Sequence, residues 1–134
     1  MKVAPLLIVT ALVAGCTPAG PANEQTRRSV TPTIRVTEVH DGSRFKMPRG
    51  ADLEVGLDRS DDPGRAWKVS ALPSNLVETG HELQPRDKAD PNGGKTEVYR
   101  FETRGTGHGR LELQDMAAGD TTPSRTFAIE IDSD

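Results

Sequence analysis

Along most of this chain, apolar and polar residues alternate. Ile34 and Val36 flank Arg35, and Leu53, Val55 and Leu57 are separated by Glu54 and Gly56. The same period returns at Trp67 and Val69, at Tyr99 and Phe101, and at Leu111 and Leu113. It appears again at Phe127, Ile129 and Ile131. In an extended strand residues i and i+2 share a face, so each set predicts a strand with one buried face. Helical spacing fits none of these segments. Residues 76–83 form a further, more polar candidate strand.

Turn sequences separate these segments: Asp41-Gly42, Pro48-Arg49-Gly50, Asp61-Asp62-Pro63-Gly64, Pro91-Asn92-Gly93-Gly94 and Gly105-Thr106-Gly107. Gly64, Gly93 and Gly94 are read as residues that supply positive φ in their turns. Short half-buried strands with frequent turns predict an all-β antiparallel sandwich, with a small barrel as the competing architecture. The expected inward residues are Leu53, Val55, Trp67, Val69, Tyr99, Phe101, Leu111, Leu113, Phe127 and Ile129. Trp67 and Phe101 are its aromatic anchors.

The N-terminal residues break this pattern. Lys2 precedes an apolar stretch, Val3 to Val13, which ends in Ala14-Gly15-Cys16. A charged start, a short apolar run and small residues describe an export signal. A membrane-spanning helix needs roughly 20 apolar residues, more than this stretch has. The small-small-Cys ending looks like the bacterial lipobox, in which the cysteine is acylated and the cut falls just before it. That reading gives a signal peptide at 1–15 and a lipid-bearing Cys16 held in a bilayer by acyl chains. The alternative is an ordinary secretory signal with a chance cysteine. Residues 17–32 are rich in Pro and small polar residues without a period, which marks a tether. Such a flexible tether would hold the domain roughly 20–25 Å from the anchor. The β-domain then covers 33–134. Thr17, where an Asp would resemble an inner-membrane retention signal, points to the periplasmic face of an outer membrane if the organism has two.

Charge and side-chain chemistry narrow the function classes. The formal net charge is −3, and loss of Lys2 with the signal makes it more acidic. That argues against nucleic acid as a partner. Cys16 is the only cysteine, so the chain carries no internal disulfide, and once Cys16 is acylated no thiol nucleophile or thiolate metal site remains. His40, His81 and His108 are scattered and lack ligand spacing, so no metal site is expected. Asp58, Asp61 and Asp62 form an acidic turn without the ligand pattern of a calcium loop. No Gly-x-Ser-x-Gly elbow, phosphate loop or catalytic triad order is present. Nothing in the sequence makes a positive case for an enzyme or implies a cofactor.

A more specific pattern lies between two of the alternating segments. Ser60-Asp61-Asp62-Pro63-Gly64-Arg65-Ala66-Trp67 resembles the first motif of the chagasin-like cysteine-protease inhibitors, Asn-Pro-Thr-Thr-Gly-Tyr-x-Trp, with Gly64 and Trp67 on its Gly and Trp. Gly93-Gly94 before Tyr99-x-Phe101 is similar to the Gly-rich loop that precedes an aromatic strand in that family. The passage from Phe101 through Gly107 to Leu111-x-Leu113 matches a third segment. The family's Arg-Pro-Trp or Arg-Pro-Phe loop has no counterpart between Met116 and Pro123. The resemblance implies an immunoglobulin-like sandwich. It also implies that loops at 60–66, 88–95 and 116–124 fill the cleft of papain-like cysteine proteases. It makes Asp61, Asp62, Pro63, Gly64, Arg65, Gly93 and Gly94 the contact residues, with Arg65 as an anchor. The alternative is an interaction lipoprotein that uses the same fold without inhibiting.

Overall fold

The computed structural model describes residues 30–134; Cys16, the signal and nearly all of the tether lie outside the described residues. Among the described residues eight strands form in chain order: β1 (Thr33–Val36), β2 (Arg44–Met47), β3 (Asp52–Asp58), β4 (Arg65–Ala71), β5 (Leu76–Pro85), β6 (Lys95–Thr103), β7 (Gly107–Ala117) and β8 (Arg125–Ser133). One sheet has the order β1-β3-β6-β5 and the other β2-β8-β7-β4. The result is an immunoglobulin-like sandwich.

The strands follow the alternation. Leu53, Val55 and Leu57 on β3 are fully buried, and so are Phe101 on β6, Leu111 and Leu113 on β7, and Ile131 on β8. Of the ten expected inward residues, only Val69 is partly exposed, and it still packs against the core. Burial of such side chains drives the two sheets together, each contributing roughly 1.5–3 kcal/mol.

Two features differ from the sequence expectation. Phe45 and Met47 belong to a short strand, β2, that the alternation did not mark, and Met47 is fully buried. The sandwich is also not wholly antiparallel: β1 runs parallel to β3, and β2 runs parallel to β8. The cause is a switch between sheets. The chain rises along β1, turns through a short 3-10 helix at Glu38–His40, and descends along β2 in the opposite sheet. It then returns to the first sheet and rises along β3, so β1 and β3 share a direction.

Strand directions also sort the loops. β3, β5 and β7 end, and β4, β6 and β8 begin, at one pole. Loops 59–64, 86–94 and 118–124 therefore meet there. Thr33, where β1 begins, pairs with Asp52 at the far pole, and Ser133 pairs with Gly107 there as well.

Candidate functional site

The loop pole is built on inward-facing positions that carry charge. One step beyond the apolar run of β7, Asp115 takes the same face as Leu111 and Leu113 and is 1 % exposed. Glu97 does the same on β6, below Tyr99 and Phe101, and is 2 % exposed. Buried carboxylates are costly unless they are paired or hydrogen-bonded, and both are. Glu97 accepts the backbone N–H of Trp67 at 2.6 Å, and the His81 ring lies 3.7 Å from its other oxygen. Asp115 accepts from Arg125 Nε at 3.0 Å and from the Ser124 hydroxyl at 3.1 Å.

Trp67 is the floor of the pole. It is buried, its indole N–H donates to the Asp58 carbonyl at 3.0 Å, and the Arg125 guanidinium lies 4.8 Å from the ring centre. That places it in the core, as its strand position predicts. Tyr99 donates its hydroxyl to the Trp67 carbonyl at 2.5 Å. Burial, followed by the charges of Glu97 and Glu78, pushes the Tyr99 phenol up to about 12.

Loop 59–64 is held from within. Arg59 donates to the carbonyls of Arg65 at 3.0 Å and Pro63 at 3.4 Å. The Asp62 carboxylate accepts the Gly64 N–H at 2.9 Å, an Asx turn, and Asp62 N–H reaches the Ser60 hydroxyl at 3.2 Å. Asp61, Asp62, Pro63 and Gly64 are all exposed at the tip. Loop 86–94 is tied to this one by Arg86, whose guanidinium meets Asp58 at 3.2 Å and the Arg59 carbonyl at 3.2 Å. Between the two loops lies an open groove of about 480 Å³, lined among others by Ser60, Asp61, Pro63, Gly93 and Gly94.

The glycines act differently from the sequence reading. Gly64, Gly93 and Gly94 do not adopt positive φ; Gly42, Gly50, Gly107 and Gly119 do. At two of the three sites a side-chain end packs closely over the glycine instead. A Cβ on Gly94 would lie 2.7 Å from the Arg86 guanidinium carbon, and one on Gly93 would lie 2.7 Å from an Asp90 carboxylate oxygen. At Gly64 the nearest atom, the bonded Asp62 oxygen, would be 3.3 Å away.

Arg65 also has a different setting from the exposed anchor expected. Its guanidinium turns inward, 3.6 Å from the Asp115 carboxylate and 3.0 Å from that of Asp120. It donates to the Asp115 carbonyl at 3.2 Å as well. Asp120 closes a tight turn in loop 118–124 by accepting the Ala117 N–H at 3.0 Å, and Gly119 there has φ of +83°. The Ala117 N–H, then the Arg65 charge, hold the Asp120 carboxyl below its ordinary value against the opposing effect of burial.

Of the seven expected contact residues, the structure gathers Asp61, Pro63, Gly93 and Gly94 around one groove and puts Asp62 and Gly64 at the tip beside it. It withdraws Arg65. Sequence reasoning missed Arg59, Arg86, Asp115, Asp120 and Arg125. For Asp115 a signal existed: it continues the apolar alternation of Leu111 and Leu113 by one step, which marks a charge at an inward position. Elsewhere, His108 lies between Glu130 at 2.9 Å and Asp132 at 2.5 Å on the outer face of its sheet. Among the described residues no group of His, Asp and Glu is placed to hold a metal ion.

Comparisons with known proteins place this architecture. No protein-family model and no curated protein matches the sequence. Solved structures do match the fold. The cysteine protease inhibitor EhICP2 from Entamoeba histolytica superposes with a TM-score of 0.68 at 11% identity, over 77% of this chain and 96% of that one. Amebosin, solved in solution, gives 0.63 at 19% identity over 77% and 99%. PbICP-C, solved in complex with falcipain-2, gives 0.54 at 10% identity over 78% and 92%. The chain thus shares the fold of cysteine protease inhibitors.

Proposed function

We propose that this protein inhibits papain-like cysteine proteases by occluding their cleft with the pole formed by loops 59–64, 86–94 and 118–124. The carrying observation is the convergence of these loops at one end of a sandwich whose fold is shared with EhICP2 and PbICP-C. PbICP-C is seen bound to the protease falcipain-2. The exposed tip Asp61-Asp62-Pro63-Gly64 is the central wedge, flanked by the groove against Gly93 and Gly94. Bonds within each loop fix its shape before docking, which lowers the entropy lost on binding.

The second part of the reading is the address. Acylation of Cys16 tethers the domain to a membrane, at the periplasmic face of an outer membrane in a two-membrane cell. The chain enters β1 at the pole away from the loops. Mass spectrometry of the native N-terminus tests this: a diacyl- or triacyl-modified Cys16 supports it, and an unmodified mature terminus elsewhere defeats it.

One observation favours the interaction-lipoprotein alternative. Asp62 bonds its own loop, Arg65 turns inward to Asp115 and Asp120, and the Arg-Pro-Trp-type loop is absent, so the pole offers few strong anchors. A titration of the soluble protein against several papain-like proteases decides between them. Slowed turnover with the protein recovered uncut supports inhibition. No effect at micromolar protein with the fold intact supports the alternative.

A further inference from the structure

We infer that Arg65 and Asp120 form a clamp that sets loop 118–124 relative to loop 59–64, making them positioning residues of the binding pole. This rests on the inhibitory reading of the pole, but the clamp has readouts of its own. Arg65 is the first residue of β4 and follows directly on loop 59–64. Its backbone belongs to that loop's frame: its N–H donates to the Asp62 carbonyl at 3.1 Å, and its carbonyl accepts Arg59 Nε at 3.0 Å. Its side chain belongs to the other loop. The side chain is only 19% exposed, and its guanidinium reaches Asp120, inside loop 118–124, at 3.0 Å, and Asp115, just before that loop, at 3.6 Å.

The far end of the loop is fixed by the same centre. Asp115 accepts from Ser124 and Arg125, and the Ser124 N–H donates to the Asp115 carbonyl at 3.1 Å. Arg65 and Asp115 therefore bind the entry, the tip turn and the exit of loop 118–124. A planar guanidinium suits this work, because its donors diverge in fixed directions toward several acceptors. The two buried polar atoms without a hydrogen bond here, Arg65 Nε and Asp115 Oδ1, face each other across the 3.6 Å ion pair. A charge spent in this way does not meet the protease. It restricts where the loops stand, and residues that act as one unit are coupled energetically.

The test is a double-mutant cycle on the full chain with Arg65→Met, Asp120→Ala and the pair. Dissociation from papain is followed by recovery of protease activity after dilution. Amide exchange is followed at Ala117, whose N–H bonds Asp120. Fluorescence of Trp67, the sole tryptophan, reports that each variant is folded. Each single variant is expected to speed dissociation by about tenfold and to slow association by less than about twofold, since interface changes act mostly on the off-rate. The double variant is expected to match the singles, and Ala117 exchange is expected to rise in Arg65→Met. Additive losses would show Arg65 and Asp120 to be independent contacts and overturn the clamp, as would unchanged dissociation in both singles. If the wild type does not inhibit papain-like proteases, the inhibitory reading fails first. The exchange cycle then decides the clamp alone: unchanged Ala117 exchange in Arg65→Met, or exchange effects that add, overturns it. If Arg65→Met does not fold, Asp120→Ala carries the test, and its dissociation and the protection of Ser124 N–H must both change.

Discussion

The Tyr99 hydroxyl donates to the Trp67 carbonyl at 2.5 Å, joining β6 of one sheet to β4 of the other. Trp67 lies on an edge strand, and its backbone groups face away from the β7 partner. Glu97 takes the N–H and Tyr99 the carbonyl, so side chains from the facing sheet satisfy groups that would otherwise invite another strand.

Burial makes Tyr99 titrate late. Its phenol, ordinarily near 10, is pushed up to about 12, chiefly by burial. A raised value contributes stability that is complete below pH 10 and is lost as pH rises from about 10 to about 12, roughly 2–3 kcal/mol in all. Tyr99 is the only tyrosine, so absorbance at alkaline pH reads it directly. Ionisation is expected near 12 in the folded protein and near 10 in denaturant; ionisation near 10 in both would contradict the burial of the phenol.

Glu97→Ala removes the acceptor of the Trp67 N–H and leaves a buried donor unpaired. A loss of roughly 1–3 kcal/mol is expected by urea unfolding. Glu97→Gln, which keeps a carbonyl oxygen in place, is expected to lose less. Equal losses for both would mean that the charge of Glu97 matters and its hydrogen bond does not.

Phe101→Ala empties the centre of the core, where the ring is fully buried. The expected cost is roughly 3–5 kcal/mol. A loss within experimental error would contradict the place of Phe101 in the core.

The Asp120 carboxyl is held below its ordinary 3.8, first by the Ala117 N–H and then by Arg65. A lowered value contributes stability above the ordinary value and loses it as pH falls through the lowered one. The Ala117 amide resonance is therefore expected to hold steady down to the usual carboxylate range and move only below it. Movement centred at or above 3.8 would contradict the bond.

Most of the fold was legible because burial in a two-sheet sandwich imposes a period of two. Leu53 to Leu57, Leu111 to Leu113 and Phe127 to Ile131 show it plainly. β2 was not, because its pair Phe45 and Met47 lies pressed between the turn sequences Asp41-Gly42 and Pro48-Arg49-Gly50. The parallel edges were not legible either: they depend on a chain that changes sheets, which no local pattern records. At the candidate site, the turns at 61–64 and 91–94 were visible as composition, and the tip residues came from there. The part that fixes those turns was hidden. Arg65 looked like a free cation because its partners, Asp115 and Asp120, lie 50 and more residues away, and their contact arises only when β4 and β7 pair. Gly93 and Gly94 signalled a turn, but the close approach of the Asp90 carboxylate and the Arg86 guanidinium to them was not legible in it.

The claim that the loop pole occludes a protease cleft is tested most directly by amide exchange of the protein alone and with papain. Protection is expected in residues 59–66, 88–95 and 116–124, with none gained at 48–51, 72–75 and 104–106 on the far pole, and the protein should be recovered uncut. Absence of any complex, or protection confined to the far pole or the sheet faces, would contradict it.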